Sequence, residues 1–205
     1  MDRILKTLIE SYAEEFDEES TSRSETFESF SSYSILENQA GIDVNPQDHL
    51  LAGGNDIGID AAAIIINGKN VTGKDEVDKI AEISPDMRIG FIFVQATTSD
   101  SISGQKLRNF GDGAKSILEE NSRFKENEDV KDFRKLSEYV LNEYAIEATK
   151  RPFCYLFYAY SGSYSKDQNI QGKKSLIQDD LDSLNLLSEI SVNIVDSSRL
   201  QKLYN

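Results

Sequence analysis

The spacing of apolar residues changes along this chain, and the change separates a helical first part from a mixed second part. Apolar side chains recur every three or four positions near the start, which predicts an amphipathic helix over about 2–17. The acidic run at 14–19 is interpreted as the solvated end of that helix. Ser22 and Glu25 have the spacing of a capping box, so a second helix is expected to begin there. The polar, glycine-containing segment 38–55 is expected to be irregular.

From Ile57 onward the pattern changes to the short β-branched runs that are typical of strands. Residues 59–66 form one such run, and Asn67-Gly68 fits the two-residue turn of a hairpin whose return strand covers 69–72. The near-continuous apolar run 88–97 is typical of a strand that is buried on both faces.

Helices and strands alternate through the rest of the chain. Further helices are predicted over 74–83, 105–120, 129–149, 173–188 and 198–204, and further strands over 153–160 and 190–195. This order predicts an α/β sheet with helices on both sides, preceded by extra N-terminal helices. No repeat or linker divides the chain, so we expect a single domain over 1–205, with a helical part at 1–50 and an α/β core at 51–205.

The chain has 205 residues with one cysteine, Cys154, and one histidine, His49. A lone thiol and a lone imidazole exclude disulfides within the chain and cysteine- or histidine-rich zinc sites, so any metal is expected to have mainly oxygen ligands. Cys154 is interpreted as a small buried hydrophobe. No apolar run reaches the roughly 20 residues of a membrane span, and no signal peptide is recognisable, so we expect a soluble cytoplasmic protein without a membrane partner.

The formal charge of −14 argues against a nucleic-acid partner until its distribution is considered. Residues 1–60 carry 14 acidic and 3 basic side chains, a charge of −11, whereas residues 61–205 carry 22 and 19, a charge of −3. The acidity is therefore concentrated in the N-terminal part, and no strong basic face is visible elsewhere.

Polar residues at the start of one predicted strand and the end of another suggest a site for a hard cation. Asp56 and Asp60 stand four residues apart where the chain enters a strand, and Gln95 and Thr97 share one face of the strongest strand. If the two strands are neighbours, the Asp60 carboxylate and the Gln95 amide oxygen can converge on Mg²⁺. Spacing alone also fits a glycine-rich turn capped by Asp56, and this alternative stays open.

Four sequence blocks stand in a fixed order: GGNDIGID at 53–60, AIIING at 63–68, FIFVQATTSDS at 91–101 and NFGDG at 109–113. Together they resemble the N-terminal part of the AIPR proteins, the abortive-infection phage-resistance family of bacteria. Members of that family are usually much longer, so the resemblance implies the N-terminal domain alone, either from a longer protein with a C-terminal region or as a short member of the family.

This part of the family resembles a restriction-endonuclease-like PD-(D/E)XK nuclease, which implies a mixed central sheet, Mg²⁺ or Mn²⁺, and DNA or RNA as substrate. By this resemblance Asp60 matches the metal-binding aspartate and Gln95 the second metal-site residue. Glu28 matches the acidic residue of the preceding helix, and Asp56 is a further candidate metal ligand. Thr97 stands where the motif has its catalytic lysine.

A threonine at the lysine position removes a positive charge from the expected site. Lys106 and Lys69 are the nearest candidates in sequence for a displaced lysine, although each also fits an ordinary exposed side chain. The leading hypothesis is a Mg²⁺-dependent nuclease domain of a phage-defence protein. The alternative is a catalytically silent domain that recognises nucleic acid or a phage-derived partner, or that serves homo-oligomeric assembly. Asp112, between two glycines, is interpreted as a turn residue.

Overall fold

The protein is described from a computed structural model that covers residues 1–18, 21–40, 50–51, 57–84, 86–119, 124–145 and 151–205. Two helices come first, α1 (Arg3–Glu15) and α2 (Arg23–Ala40). The predicted capping box before α2 is confirmed. Glu25 Oε2 accepts a hydrogen bond from Ser22 N–H at 3.0 Å, and Ser22 Oγ accepts one from Glu25 N–H at 3.3 Å.

Five strands in the described residues form one mixed sheet, as the α/β prediction requires. They are β1 (Ala61–Ile66), β2 (Lys69–Val71), β3 (Ile89–Thr97), β4 (Phe153–Tyr160) and β5 (Glu189–Val195), in the spatial order β2-β1-β3-β4-β5. β1 runs antiparallel to β2 and β3, whereas β3, β4 and β5 are parallel. Asn67 and Gly68 have φ values of 52° and 79°, which are the left-handed conformations that the predicted two-residue hairpin turn needs.

Helices cover both faces of this sheet. The remaining helices are α3 (Lys74–Ile83), α4 (Gly104–Leu118), α5 (Glu128–Val140, continued by a π-helical turn, Leu141–Ala145), α6 (Gln168–Asp182) and α7 (Ser197–Tyr204). α3 to α6 bury their apolar faces against one side of the sheet, and α1, α2 and α7 bury theirs against the other. Burial on both faces explains why β1 and most of β3 are almost wholly apolar.

Two predicted helices have different bounds in the structure. α6 begins five residues earlier than predicted, because Asp167 caps it by accepting a hydrogen bond from Ile170 N–H at 3.0 Å and Gly172 does not interrupt it. It also ends earlier, at Asp182, and Asn185 then turns the chain with a positive φ. α5 ends at Val140, and residues 146–149 of the predicted helix lie outside the described residues.

The interpretation of Asp112 as a turn residue is wrong, because the sequence Gly111-Asp112-Gly113 lies inside α4. The two glycines allow close packing. A methyl group at Gly111 would lie 2.6 Å from Ile177 of α6, and one at Gly113 would lie 2.1 Å from the Ile57 carbonyl oxygen. The glycines therefore bring α4 against α6 and against the chain that enters β1.

The acidic run after α1 is not solvated throughout. Glu18 is only 5 % exposed, because the chain reverses at Asp17, where φ is 57°, and returns Glu18 toward α2. There Glu18 Oε1 accepts a hydrogen bond from Ser29 Oγ at 2.6 Å, and Ser29 Oγ lies 2.7 Å from the Tyr12 hydroxyl. A buried polar chain thus joins α1 to α2.

The cysteine prediction is confirmed. Cys154 is fully buried in β4, and burial raises the pKa of its thiol far above the ordinary value, which makes it a poor nucleophile at neutral pH. Across the described parts of the chain, no helix has the length and apolar character needed to span a bilayer.

Candidate functional site

An open cleft of about 610 Å³ lies at the carboxyl end of β3, between the beginning of α2 and one side of α4. Such crevices at the ends of parallel strands are frequent ligand sites in α/β proteins. The described residues that line it are Ser24, Glu28, Ile57, Gly58, Asp60, Gln95, Ala96, Thr97, Lys106, Asn109, Asp112 and Phe124. The cleft thus contains five of the residues that the sequence singled out as site candidates.

Asp60 stands at the entrance to β1, directly before the residue that pairs with Val94 of β3. Its backbone N–H donates to the Val94 carbonyl at 2.9 Å, which continues the antiparallel pairing by one residue. Its carboxylate oxygen Oδ2 accepts the Ala96 backbone N–H at 2.6 Å. The carboxylate is therefore held against the end of β3, beside Gln95.

Gln95 and Gly58 meet on the same side of the sheet. Gly58 has a φ of +76°, and a methyl group added there would lie 3.4 Å from Gln95 Oε1 and 3.6 Å from the Phe110 backbone nitrogen. The segment that carries Asp60 therefore passes close to Gln95 of β3 and to the backbone of α4. Gly58 stands two residues before Asp60, so this contact brings the segment beside the Gln95 amide.

Glu28 reaches the cleft from the opposite layer of helices. It lies one turn inside α2, half-buried, and Glu28 Oε1 accepts a hydrogen bond from Ser24 Oγ at 3.1 Å. The neighbouring Phe27 and Phe30 are fully buried against the sheet, so the helix that carries Glu28 is anchored on both sides of it. Glu28 therefore lines the same cleft as Asp60 and Gln95.

One side of α4 forms the far wall. Lys106, Asn109 and Asp112 follow one another at three-residue spacing and line the cleft together. Lys106 lies in the first turn of the helix, where Ser103 Oγ accepts the Lys106 backbone N–H at 3.2 Å. Asp112 is paired with Arg108 at 2.9 Å, so its negative charge is compensated in part.

The two displaced-lysine candidates lie at opposite ends of the sheet. Lys106 lines the cleft, whereas Lys69 follows the hairpin turn and pairs with Ile66. Six residues of β1 separate that turn from Asp60, a distance of about 20 Å along the strand. Lys69 therefore does not belong to the group, because the hairpin carries it to the other end of the sheet. The remaining candidate, Asp56, lies outside the described residues, as does His49.

The threonine at the expected lysine position lines the cleft and takes part in a local turn. Thr97 Oγ1 accepts the Ser99 backbone N–H at 3.4 Å, a weak hydrogen bond that holds the loop after β3. Thr97 therefore contributes a hydroxyl and no cation to this end of the strand.

Tyr158 does not line the cleft, but it is a buried neighbour of Asp60 and Gln95 that the sequence reasoning missed. It is fully buried, pairs in register with Gln95, and its hydroxyl has no hydrogen-bond partner among the described residues. Burial raises the pKa of the Tyr158 hydroxyl, the nearby Ser103 backbone lowers it in part, and the negative charge of Asp60 raises it further. The period-two pattern of β4 was the available signal, since it puts Tyr158 on the same face as its partner Gln95.

The donor atoms fit a hard divalent cation. Asp60 and Glu28 supply carboxylates and Gln95 an amide oxygen, and Mg²⁺ binds such oxygens while it keeps several waters. Among the described residues, no three His, Cys, Asp or Glu side chains are close enough together to form a metal site by themselves. The amide of Gln95 and water would thus have to complete the coordination, which suits Mg²⁺ or Mn²⁺ better than zinc.

The chain matches no family model, no curated protein and no solved structure.

Proposed function

We propose that this chain is a metal-dependent phosphodiesterase domain with a restriction-endonuclease-like fold, of the type found in AIPR phage-defence proteins. The observation that carries the proposal is that Asp60 at the entrance to β1, Gln95 of β3 and Glu28 of α2 line one cleft. The proposed cation is Mg²⁺ or Mn²⁺, and the proposed substrate is DNA or RNA.

Each of the three oxygen donors has a support in the structure. The Ala96 N–H holds the Asp60 carboxylate, the Gly58 segment packs against the Gln95 amide, and Ser24 donates to Glu28. Such supporting contacts orient metal ligands. When bound, a divalent cation would supply positive charge beside a phosphodiester and lower the pKa of a water molecule.

Lys106 takes the place of the missing lysine in this proposal. It lines the cleft from the first turn of α4, where the helix dipole adds to its positive charge. A lysine there can hold a phosphate oxygen without being on β3. Thr97 cannot do so, because its hydroxyl carries no charge.

The decisive experiment compares Asp60→Asn with Asp86→Asn, an exposed carboxylate at the other end of the sheet. Calorimetric titration of Mg²⁺ and cleavage of labelled DNA and RNA oligonucleotides are measured for both variants. We expect Asp60→Asn to lose the binding heat and at least about 10²-fold in turnover, as when a preorganised electrostatic contact is removed. Asp86→Asn should behave like the wild type. Equal Mg²⁺ heats in wild type and Asp60→Asn would exclude the proposed metal site.

A catalytically silent domain is the second candidate, and Thr97 is the observation that favours it. Its hydroxyl is turned to the Ser99 backbone, and the position offers no cation. This candidate predicts that the protein binds an oligonucleotide without cleaving it. Cleavage by the wild type would rule it out, whereas binding without cleavage in both wild type and Thr97→Lys would support it.

A further inference from the structure

Phe124 is an exposed aromatic side chain at the edge of the polar cleft. It lies between α4 and α5, is 48 % exposed, and lines the cleft together with Asn109 and Asp112. Single exposed apolar side chains are ordinary on protein surfaces. Among the large exposed hydrophobics of the described residues, however, Phe124 is the one that lines this cleft. Its place beside the candidate phosphodiester site therefore calls for a chemical explanation.

The α4 wall changes in character along its length. Lys106 provides a cation in the first turn, Asn109 an amide one turn later, and Asp112 a carboxylate that Arg108 already pairs. These three positions span about 9 Å along the helix axis. Asn109 Oδ1 accepts a hydrogen bond from Gln105 Nε2 at 2.7 Å, which fixes the orientation of the amide. The wall thus combines the Lys106 ammonium, which can bind a phosphate, with the Asn109 amide, which can bind a base edge. Phe124 adds an aromatic face to the same cleft.

The charge of the chain limits which nucleic acid such a wall can recognise. Duplex binding depends mainly on many cationic contacts to phosphates, and this chain carries a formal charge of −14. Stacking of a base on an aromatic ring adds binding energy that does not come from contacts to phosphates. A duplex keeps its bases stacked on one another, so it offers Phe124 no base face unless a nucleotide is flipped out. An unpaired strand presents its bases freely.

We propose that the cleft takes a single-stranded segment of nucleic acid, with one base stacked on Phe124, its edge at Asn109 and the adjoining phosphate at Lys106. This inference rests on the proposed phosphodiesterase function and names the class of substrate. A cleft of about 610 Å³ lies within the size range of small-ligand sites, so it has room for one nucleotide of such a strand.

The test uses 12-nucleotide fluorescein-labelled strands of DNA and RNA, and the blunt duplexes of the same sequences, in Ca²⁺ in place of Mg²⁺. Fluorescence anisotropy gives the dissociation constants for wild type, Phe124→Ala, Phe124→Tyr and the control Leu176→Ala, an exposed apolar residue of α6. We expect tighter binding of single strands than of duplexes. Phe124→Ala should weaken single-strand binding by about 5- to 150-fold, whereas Phe124→Tyr and Leu176→Ala should bind like the wild type.

A second measurement locates the base. Strands that carry one 5-iodouracil are irradiated with the protein, and the cross-linked peptide is identified by mass spectrometry. We expect the peptide that contains Phe124. Equal affinity for strand and duplex, an unchanged constant in Phe124→Ala, or cross-links only elsewhere would each overturn the inference. The Mg²⁺ titration of Asp60→Asn distinguishes a failure of this inference from a failure of the proposed function. If Mg²⁺ binding needs Asp60 but single-strand binding does not need Phe124, this inference is refuted and the proposed function stands.

Discussion

The two ends of β1 make different use of their polar residues. At the hairpin end Asn67 Oδ1 accepts the Arg88 backbone N–H at 2.8 Å, and Glu76 Oε2 accepts the Thr72 backbone N–H at 2.8 Å. There, polar side chains satisfy the backbone of the turn and of the helix that follows. At the cleft end Asp60, Gln95 and Lys106 come from separate elements and line one space.

This difference shows what distinguishes a site from a strand end. Both ends carry a positive-φ glycine, Gly58 and Gly68, and both carry a lysine, Lys106 and Lys69. Composition therefore does not separate them. What separates the two ends is the convergence, at the cleft end, of groups from elements far apart in the chain. No local turn needs such an arrangement. The matched pairs allow this comparison to be tested by mutation.

The largest difference is expected between Lys106→Ala and Lys69→Ala. If Lys106 holds a phosphate in the cleft, its removal should lower the rate of oligonucleotide cleavage by about ten- to a hundredfold, somewhat less than the loss of a fully enclosed contact. Lys69→Ala should leave the rate unchanged, because the hairpin holds Lys69 about 20 Å away. Single-turnover kinetics with a labelled strand would measure both. Equal rates for the two variants would remove Lys106 from the mechanism.

A smaller effect is expected from alanine at the two glycines. Gly58 and Gly68 both have φ near +78°, so either substitution should reduce the free energy of unfolding by about 1–2 kcal/mol through backbone strain. Only Gly58→Ala adds a contact of 3.4 Å with Gln95 Oε1, since a methyl group at Gly68 meets nothing within 4 Å. Urea unfolding should therefore give similar losses, whereas Mg²⁺ titration should be altered in Gly58→Ala alone. A change in Mg²⁺ binding in both variants would contradict the prediction that only Gly58 lies beside the metal site.

The smallest expected effect concerns Asp78 of α3, a carboxylate that is paired within the structure and lies outside the cleft. Its Oδ1 accepts hydrogen bonds from the Tyr139 and Tyr144 hydroxyls, both at 2.6 Å. These bonds, the one from Tyr139 first, lower the pKa of Asp78. Because the pKa of Asp78 is lower in the folded state, its ionised form contributes to stability. This contribution is complete above the unfolded-state pKa of about 4, and it is lost as the pH falls through the folded-state pKa.

Tyr139→Phe with Tyr144→Phe should therefore raise the pKa of Asp78 toward its ordinary value and reduce stability at pH 7 more than at pH 2. Carboxyl chemical shifts followed through an acid titration would measure the pKa. Tyr155→Phe is the control, because the Tyr155 hydroxyl donates to Glu189 instead, at 2.7 Å. A pKa that does not move in the double variant would refute the assignment.

Sequence patterns predicted the elements of this fold better than their contacts. The apolar run of β3, the Asn67-Gly68 turn and the α3 bounds were predictable because period and turn chemistry are local properties. The α6 start was missed because the prediction did not take the Asp167 cap into account, and Gly172 does not interrupt the helix that begins there. The bounds of a helix depend on such competition between capping and intrinsic propensity.

The site was predictable only in part. Pairing of period-two positions gave Asp60 and Gln95, since both lie where β1 and β3 meet. Strand spacing could not choose between Lys106 and Lys69, because sequence distance does not show which end of the sheet a residue reaches. It also could not single out Phe124, because sequence distance does not show that a residue after α4 lines the same cleft as Asp60.

The hydrogen bond from Ala96 N–H to Asp60 Oδ2 joins a backbone proton of the central strand to the charge state of the candidate ligand. Protonation of that carboxylate, or its engagement by a cation, would withdraw electron density from the accepting oxygen. The Ala96 amide resonance is therefore a built-in spectroscopic indicator of occupancy, readable in a ¹⁵N spectrum without any label in the cleft itself.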